Sequence, residues 1–372
     1  MSKLHDFEME RWQSTYENRV DFNLSESGVH PLCVGELLEL GGVPSIADLL
    51  LGYGQSNGSD ELRTHIAALY PGATGEHIVV GNGSAEANFV ALWELIEPGD
   101  EAVVVQPAYM QTVGLIDSLG GVVRGVWLRE DNDWQPDPDD IRAAVNARTR
   151  VIVITNPNNP TGAVLQSEAR AALLDAAERV GAWILADEVY TGAELELPET
   201  PSFWRPEARV IATGSLSKAY GLPGLRIGWA VAPAEIAARL WARKDYTTIS
   251  PGDLTDRLAA VALRPDVRPR LLQRTRHHIR TGLLVLENWL NDSGIFSYRR
   301  PDAGAILWTR YHLPVNSSEL ADRLRTEQSV LIVPGDHFGM DHYIRFGFGL
   351  PQDQLIQALA RISESIGTLA VR

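Results

Sequence analysis

Between residues 77 and 213 the chain alternates short, wholly apolar runs with stretches of helical spacing. The runs are 77–81 (HIVVG), 101–105, 150–155 (RVIVIT), 183–186 and 209–213. None has the polar–apolar alternation of a strand with one wet face, so each is expected to be buried on both faces. Helical patterns occupy 84–96 and 167–180 between them. Strands of this kind separated by helices build a sheet covered on both sides, because a parallel return needs a crossover that lies on a sheet face. The expected class is α/β, with a large, mostly parallel sheet flanked by helices.

After Pro233 the rhythm changes. Helical spacing at 235–243 and over a long stretch, 268–291, is followed by strand-like 305–309, helix-like 318–326, strand-like 330–333 and 343–348, and a final helical segment over 352–366. This reads as a smaller α+β unit. The division expected is an N-terminal segment 1–42 that packs with the small domain, a large domain over 43–280, and a small C-terminal domain over 281–372. A chain of 372 residues, 45% hydrophobic, has apolar material enough for two cores. Its net charge of −15 argues against nucleic acid or an anionic membrane as a partner. Cys33 is the one cysteine, so no internal disulfide can form. Flanked by Leu32 and Val34, it is expected to be a small buried residue. Residues 1–11 carry no apolar signal core, and no apolar run reaches the roughly 18 residues of a membrane span. A cytoplasmic protein is expected, and nothing in the sequence calls for a metal.

Five strings carry chemistry. In 215–228 (SLSKAYGLPGLRIG), Lys218 sits in a Gly/Ser-rich turn after a strand, with Arg226 nearby. An amine close to a second cation deprotonates more readily and can attack an aldehyde to form an imine. Ser215, Ser217 and Arg226 are suitable donors to a phosphate dianion. Taken alone, the same string also describes a flexible surface loop with a solvated lysine. In 186–190 (ADEVY), Asp187 follows a strand, where an ionised carboxylate could keep a pyridine ring nitrogen protonated. Tyr190 could hydrogen-bond a phenolic oxygen on that ring. The turn 156–162 (NPNNPTG) stands at the carboxyl end of a strand, where open α/β sheets bind ligands. In 81–87 (GNGSAEA), a glycine turn opens a helix whose first residues, Gly83, Ser84 and Ala85, offer backbone N–H groups to a phosphate. Tyr109, after strand 101–105, could stack on a pyridine ring.

In this order and spacing the strings resemble the class I/II aminotransferases, pyridoxal-5′-phosphate (PLP) enzymes of fold type I. The resemblance covers the chain from about Asn23 to Gly349. It implies that Lys218 is the Schiff-base lysine, that Ser215 and Arg226 are phosphate ligands, and that Asn159 touches the phenolic oxygen of PLP. It implies further that Tyr53, in 53–58 (YGQSNG), reaches the phosphate of a partner subunit, making a homodimer with shared sites. Arg345, in 343–347 (YIRFG), is implied to bind the substrate α-carboxylate as a bidentate fork, and Gly28 to lie in the segment that closes over the substrate. The expected activity is transamination between an L-amino acid and a 2-oxo acid. Strings 27–30 (SGVH), 35–37 (GEL), 218–226 and 333–335 (VPG) resemble a cyclising branch of the family that acts on a hydroxylated arginine, so a cyclase or eliminase of a modified arginine is the second expectation. A PLP-binding protein without activity is a remoter one. A regulator carrying a fused DNA-binding domain is not expected, since the chain begins about where the catalytic fold begins. No second arginine that would select dicarboxylic substrates is apparent; Trp229 and Tyr246 could line the pocket or pack in the core.

Overall fold

Seven strands form the central sheet of the computed structural model, which describes residues 6–370. Residues 1–5 and 371–372, the outer ends of the expected segments 1–42 and 281–372, lie outside the described residues. Across the sheet the strands run Ile78–Asn82, Ile227–Val231, Val210–Ser215, Trp183–Asp187, Thr149–Thr155, Glu101–Gln106 and Val122–Trp127. Only Ile227–Val231 is antiparallel to its neighbours; the other pairings are parallel. All five apolar runs are strands. Two strands were not foreseen. Val122–Trp127 is an edge strand, half wet and mixed in polarity. Ile227–Val231 is fully buried, but it is short and begins one residue after Arg226.

Residues alternate between the two faces of the sheet as a pleat requires. Val104, Val151, Val153, Leu185 and Ile211 pack with Val90 and Leu92 of the helix Ser84–Leu95 and with Ile236 and Leu240 of the helix Ala234–Lys244. Val103, Val105, Ile152, Ile154 and Ile184 face the opposite way, toward Leu173 and Ala177 of the helix Ser167–Val180. The parallel strands therefore end together at one edge, and the loops that follow them carry the site.

The smaller unit is a four-stranded sheet in the order Val333–Pro334, Tyr343–Gly347, Ile306–Tyr311, Phe296–Tyr298. The long helix Arg268–Ser293 packs against the C-terminal helix Gln352–Ala370 beside it. That long helix runs across the expected division at 280/281. The run 330–333, expected as one strand, is split: Val330–Leu331 pairs in parallel with Phe22–Asn23, whereas Val333–Pro334 joins the four-stranded sheet. Trp12 donates to the carbonyl of Ile332 between the two pieces (2.9 Å), so the N-terminal segment is fastened there. Cys33 is exposed rather than buried; it stands at the start of the helix Val34–Gly41, and its sulfur accepts from the Glu36 amide. No helix among the described residues is long and apolar enough to cross a membrane.

Candidate active site

At the carboxyl edge of the parallel strands lies a cavity of about 400 Å³. Its floor is set by the strand Trp183–Asp187, whose last side chain points into it. Asp187 is 6% exposed. One carboxylate oxygen accepts from the side-chain amide of Asn88 (2.9 Å) and the other from the backbone of Val189 (3.2 Å). Burial pushes this carboxyl up to about 6, against those two hydrogen bonds and the charge of Lys218, which act to keep it ionised. Tyr190 is buried, and its hydroxyl donates to Ser27 (2.9 Å).

Lys218 enters the cavity from the loop after the strand Val210–Ser215. Its ammonium meets the carboxylate of Glu26 at 2.7 Å. The charge of Lys218 pulls the Glu26 carboxyl down to about 2, against burial. Burial works against the ammonium in turn, yet Glu26 and Tyr190 outweigh it and hold Lys218 above its ordinary range. Gly28 lies against this lysine: a side chain there would begin 3.6 Å from Lys218 Cδ. Ser217 lines the cavity, and its amide donates to the hydroxyl of Ser215 (3.1 Å), which lies behind the wall.

Gly83 has φ +80, and an added Cβ would stand 2.5 Å from the Arg226 guanidinium. The positive φ favours glycine here, and the absent side chain leaves the room that the arginine head group occupies. Gly228 is needed for a related reason, since its Cβ would collide with the backbone amide of Ser84 at 2.2 Å. The antiparallel strand can then run directly under the helix start, bringing Arg226 beside Ser84 and Ala85. Gly83 brings no side chain to cap that helix, whose first N–H groups lie at the cavity.

Arg345 projects from the strand Tyr343–Gly347 and is 1% exposed. Its guanidinium donates to Asn159 Oδ1 (2.8 Å) and to the carbonyl of Ser25, but it pairs with no carboxylate among the described residues. Its buried Nε has no hydrogen-bond partner. Tyr109 also lines the cavity, and its hydroxyl donates to Glu10 (3.1 Å). Two guanidinium groups, Arg226 and Arg345, without a carboxylate partner among the described residues, a buried acid, an aromatic ring and one amine make the set that PLP and an amino-acid carboxylate would engage; these residues fit the cofactor.

Tyr53 is elsewhere. It is 93% exposed and touches the rest of its own chain through a bridge to Gly252. Neither Trp229 nor Tyr246 reaches the cavity: Trp229 is buried and donates to the Tyr70 hydroxyl, whereas Tyr246 is 82% exposed. Sequence reasoning missed Glu10, Glu17, Glu26 and Asn88, all on the cavity wall. Glu10 belongs to the helix Glu8–Tyr16, whose signal was present in the spacing of Phe7, Met9, Trp12 and Tyr16. Asn88 is a polar residue within an apolar helical run, a mismatch that marks a buried hydrogen-bonding partner.

The family model for aminotransferase class I and II matches residues 45–362. Among curated relatives, capreomycidine synthase of Streptomyces vinaceus is 36% identical over 369 residues, covering 97% of this chain and 94% of that protein. Among solved structures, a PLP-dependent aminotransferase from Streptococcus suis superposes with a TM-score of 0.93 at 33% identity, covering 99% of both chains. The PLP-dependent cyclase OrfR superposes with a TM-score of 0.91 at 26% identity, covering 100% of this chain and 99% of that one.

Proposed function

The chain belongs to the class I and II aminotransferases, a PLP-dependent family, and on that premise we propose that it transfers the amino group of an L-amino acid to a 2-oxo acid. The observation that carries this reading is the meeting, in one cavity, of the amine of Lys218, the buried carboxylate of Asp187 and the guanidinium of Arg345, which pairs with no carboxylate among the described residues. PLP, when bound, supplies an aldehyde for that amine and a protonated ring that takes up electron density from the substrate α-carbon.

The chain's own residues do the rest. Arg226, the amides opening at Gly83, Ser84 and Ala85, and the hydroxyl of Ser217 would hold the phosphate, with Ser215 behind the wall accepting from the Ser217 amide and steadying that turn. With PLP bound, Tyr109 would lie beside the ring, Asn159 and Tyr190 would serve its phenolic oxygen, and Asp187 would keep its nitrogen protonated. Arg345, helped by Asn159 and the close backbone at Gly28, clamps the substrate carboxylate and so fixes which bond on the α-carbon faces the ring. Lys218, whose amine stands in the cavity, would serve as the base that takes a proton from the substrate α-carbon and gives it back. Burial of Asp187, Tyr190 and Arg345 keeps water from competing for these contacts.

The working unit in this reading is a homodimer, Tyr53 of each subunit reaching the phosphate site of the other. Its exposure supports this, as does the company of Leu50, Leu51, Tyr246 and Ile249, all exposed, on the two segments that the Tyr53–Gly252 bridge joins.

A second reading, cyclisation or elimination on a modified arginine, shares the same first half and is favoured by a specific observation. Glu10, Glu17 and Glu26 all line the cavity, and crowding by Glu26 and Glu10 adds to burial in raising the Glu17 carboxyl. Once the lysine charge is spent on the cofactor, this wall suits a cationic side chain. The names of two similar proteins, capreomycidine synthase and a PLP-dependent cyclase, support it as well. One experiment separates the readings. The PLP-loaded protein is mixed in single turnover with each common L-amino acid and with hydroxylated arginine. Stoichiometric 2-oxo acid together with pyridoxamine phosphate establishes transamination. A cyclic guanidino product with PLP retained, and no pyridoxamine phosphate from any amino acid, replaces it with the second reading.

A further inference from the structure

Behind Asp187 lies a short polar chain inside an otherwise apolar layer. Thr213 is fully buried on the strand next to that of Asp187, and its hydroxyl donates to Asn88 Oδ1 at 2.8 Å. Asn88, 1% exposed, turns its other end to Asp187 and donates from Nδ2 at 2.9 Å. A threonine hydroxyl can donate or accept, but an amide has one accepting and one donating end. Because Thr213 donates to the oxygen, the nitrogen is the end left for Asp187. The opposite orientation would set an amide oxygen against a carboxylate in a buried layer and forfeit the hydrogen bond to Asp187, since the carboxylate can only accept whereas the Thr213 hydroxyl can serve either end. Asn88 also lies one helical turn beyond Ser84, on the face of the helix that turns toward the site.

We propose that Asn88, locked by Thr213, is a positioning residue that keeps Asp187 ionised and aimed at the cofactor ring nitrogen, and that it couples this contact to the helix start where the phosphate binds. The proposal rests on the reading of Asp187 as the partner of that nitrogen. Burial alone drives Asp187 toward its neutral form, and the Asn88 donor is the first influence that opposes it. The other charged or titratable groups that act on this carboxylate are Lys218, Glu188 and Tyr109.

The test is PLP affinity measured by absorbance against pH, in wild type, Asn88→Leu, Thr213→Val, Thr213→Ser and Asp187→Ala. Loss of a hydrogen bond to a charged group should weaken PLP about tenfold to hundredfold in Asn88→Leu. The fall in affinity on acidification should move to higher pH, because Asp187 then protonates sooner. Thr213→Val should shift the same limb by a smaller amount, and Thr213→Ser, which keeps the hydroxyl, should restore it. If Asn88→Leu does not fold, the Val/Ser pair decides alone. An acid limb that stays in place in Thr213→Val, or a serine variant that behaves like the valine one, overturns the proposal and leaves Asn88 a packing residue. Wild-type affinity and an unmoved limb in Asp187→Ala would instead remove the underlying reading of Asp187, whatever Asn88 does.

Discussion

Replacing Glu26 by glutamine tests whether the ion pair seen at the cavity governs the reactivity of Lys218. Lys218 and Glu26 meet at 2.7 Å, and the glutamate sits at about 2 where an ordinary glutamate sits at 4.5. At about 1.4 kcal/mol per tenfold change that difference corresponds to about 3 kcal/mol. The Glu26 side chain is still 41% exposed, so water screens the pair, and about 1–2 kcal/mol of apoprotein stability is the figure to expect. The pH window follows from the direction of the two shifts. The carboxyl is depressed, so its contribution is complete above about pH 5 and is lost as the pH falls toward 2. The lysine is raised above 10.5, so on the alkaline side the pair persists until the pH passes that value. Apoprotein Glu26→Gln should therefore melt below wild type at pH 7, and the gap should narrow by pH 3 and close only as the pH falls past about 2. The same substitution has a kinetic signature of opposite sign. Only the neutral amine attacks an aldehyde, and without Glu26 the burial that opposes the ammonium prevails, so a larger fraction of Lys218 is neutral. Stopped-flow capture of PLP at pH 7 should be faster in the variant, although the apoprotein is less stable. A melting gap that persists unchanged at pH 3, or slower PLP capture at pH 7, would refute this account of the pair.

Arg345→Lys should raise KM for amino acids by about tenfold to hundredfold, since a point charge cannot replace a buried fork that already spends one arm on Asn159; unchanged KM would place the carboxylate elsewhere. Borohydride treatment of the PLP-loaded protein followed by peptide mapping should place the pyridoxyl group on Lys218, and its appearance on any other lysine would undo the site assignment. Heterodimers pairing wild type with a Tyr53→Phe/Lys218→Ala chain should release PLP from their one intact site faster than heterodimers made with Lys218→Ala alone, and equal rates would exclude a shared site.

What the sequence disclosed, and what it hid, follows from the range of the interactions involved. The strand runs around 101–105, 150–155 and 183–186 were legible because each is buried on both faces, so their apolar character does not depend on which neighbour covers them. The edge strand Val122–Trp127 was not, because a half-wet strand takes its register from its partner and carries mixed polarity. The same division runs through the site. Lys218, Asp187 and the turn at Asn159 stand at the ends of legible strands, where local turn chemistry marks them. Glu26 carries no local mark: its importance comes from a lysine far along the chain, and long-range contacts such as the pairing of Phe22–Asn23 with Val330–Leu331, the seating of Gln13 on Ser25 and the bond from Tyr190 to Ser27 bring the two together. An ion pair of this kind is a property of the tertiary fold. Asn88 falls between the cases. Its polar side chain inside an apolar helical face, a mark that went unread, calls for some buried partner, while the identity of that partner, the carboxylate of Asp187, required the strand order of the sheet. Because helix Ser84–Leu95 crosses the end of Ile227–Val231 at Gly228, the helix whose start lies beside Arg226 also passes Thr213 and Asp187 one turn later. On the proposed placement of the cofactor, one helix then sets both the phosphate end and the ring-nitrogen end of the site, and a disturbance of either should be felt at the other.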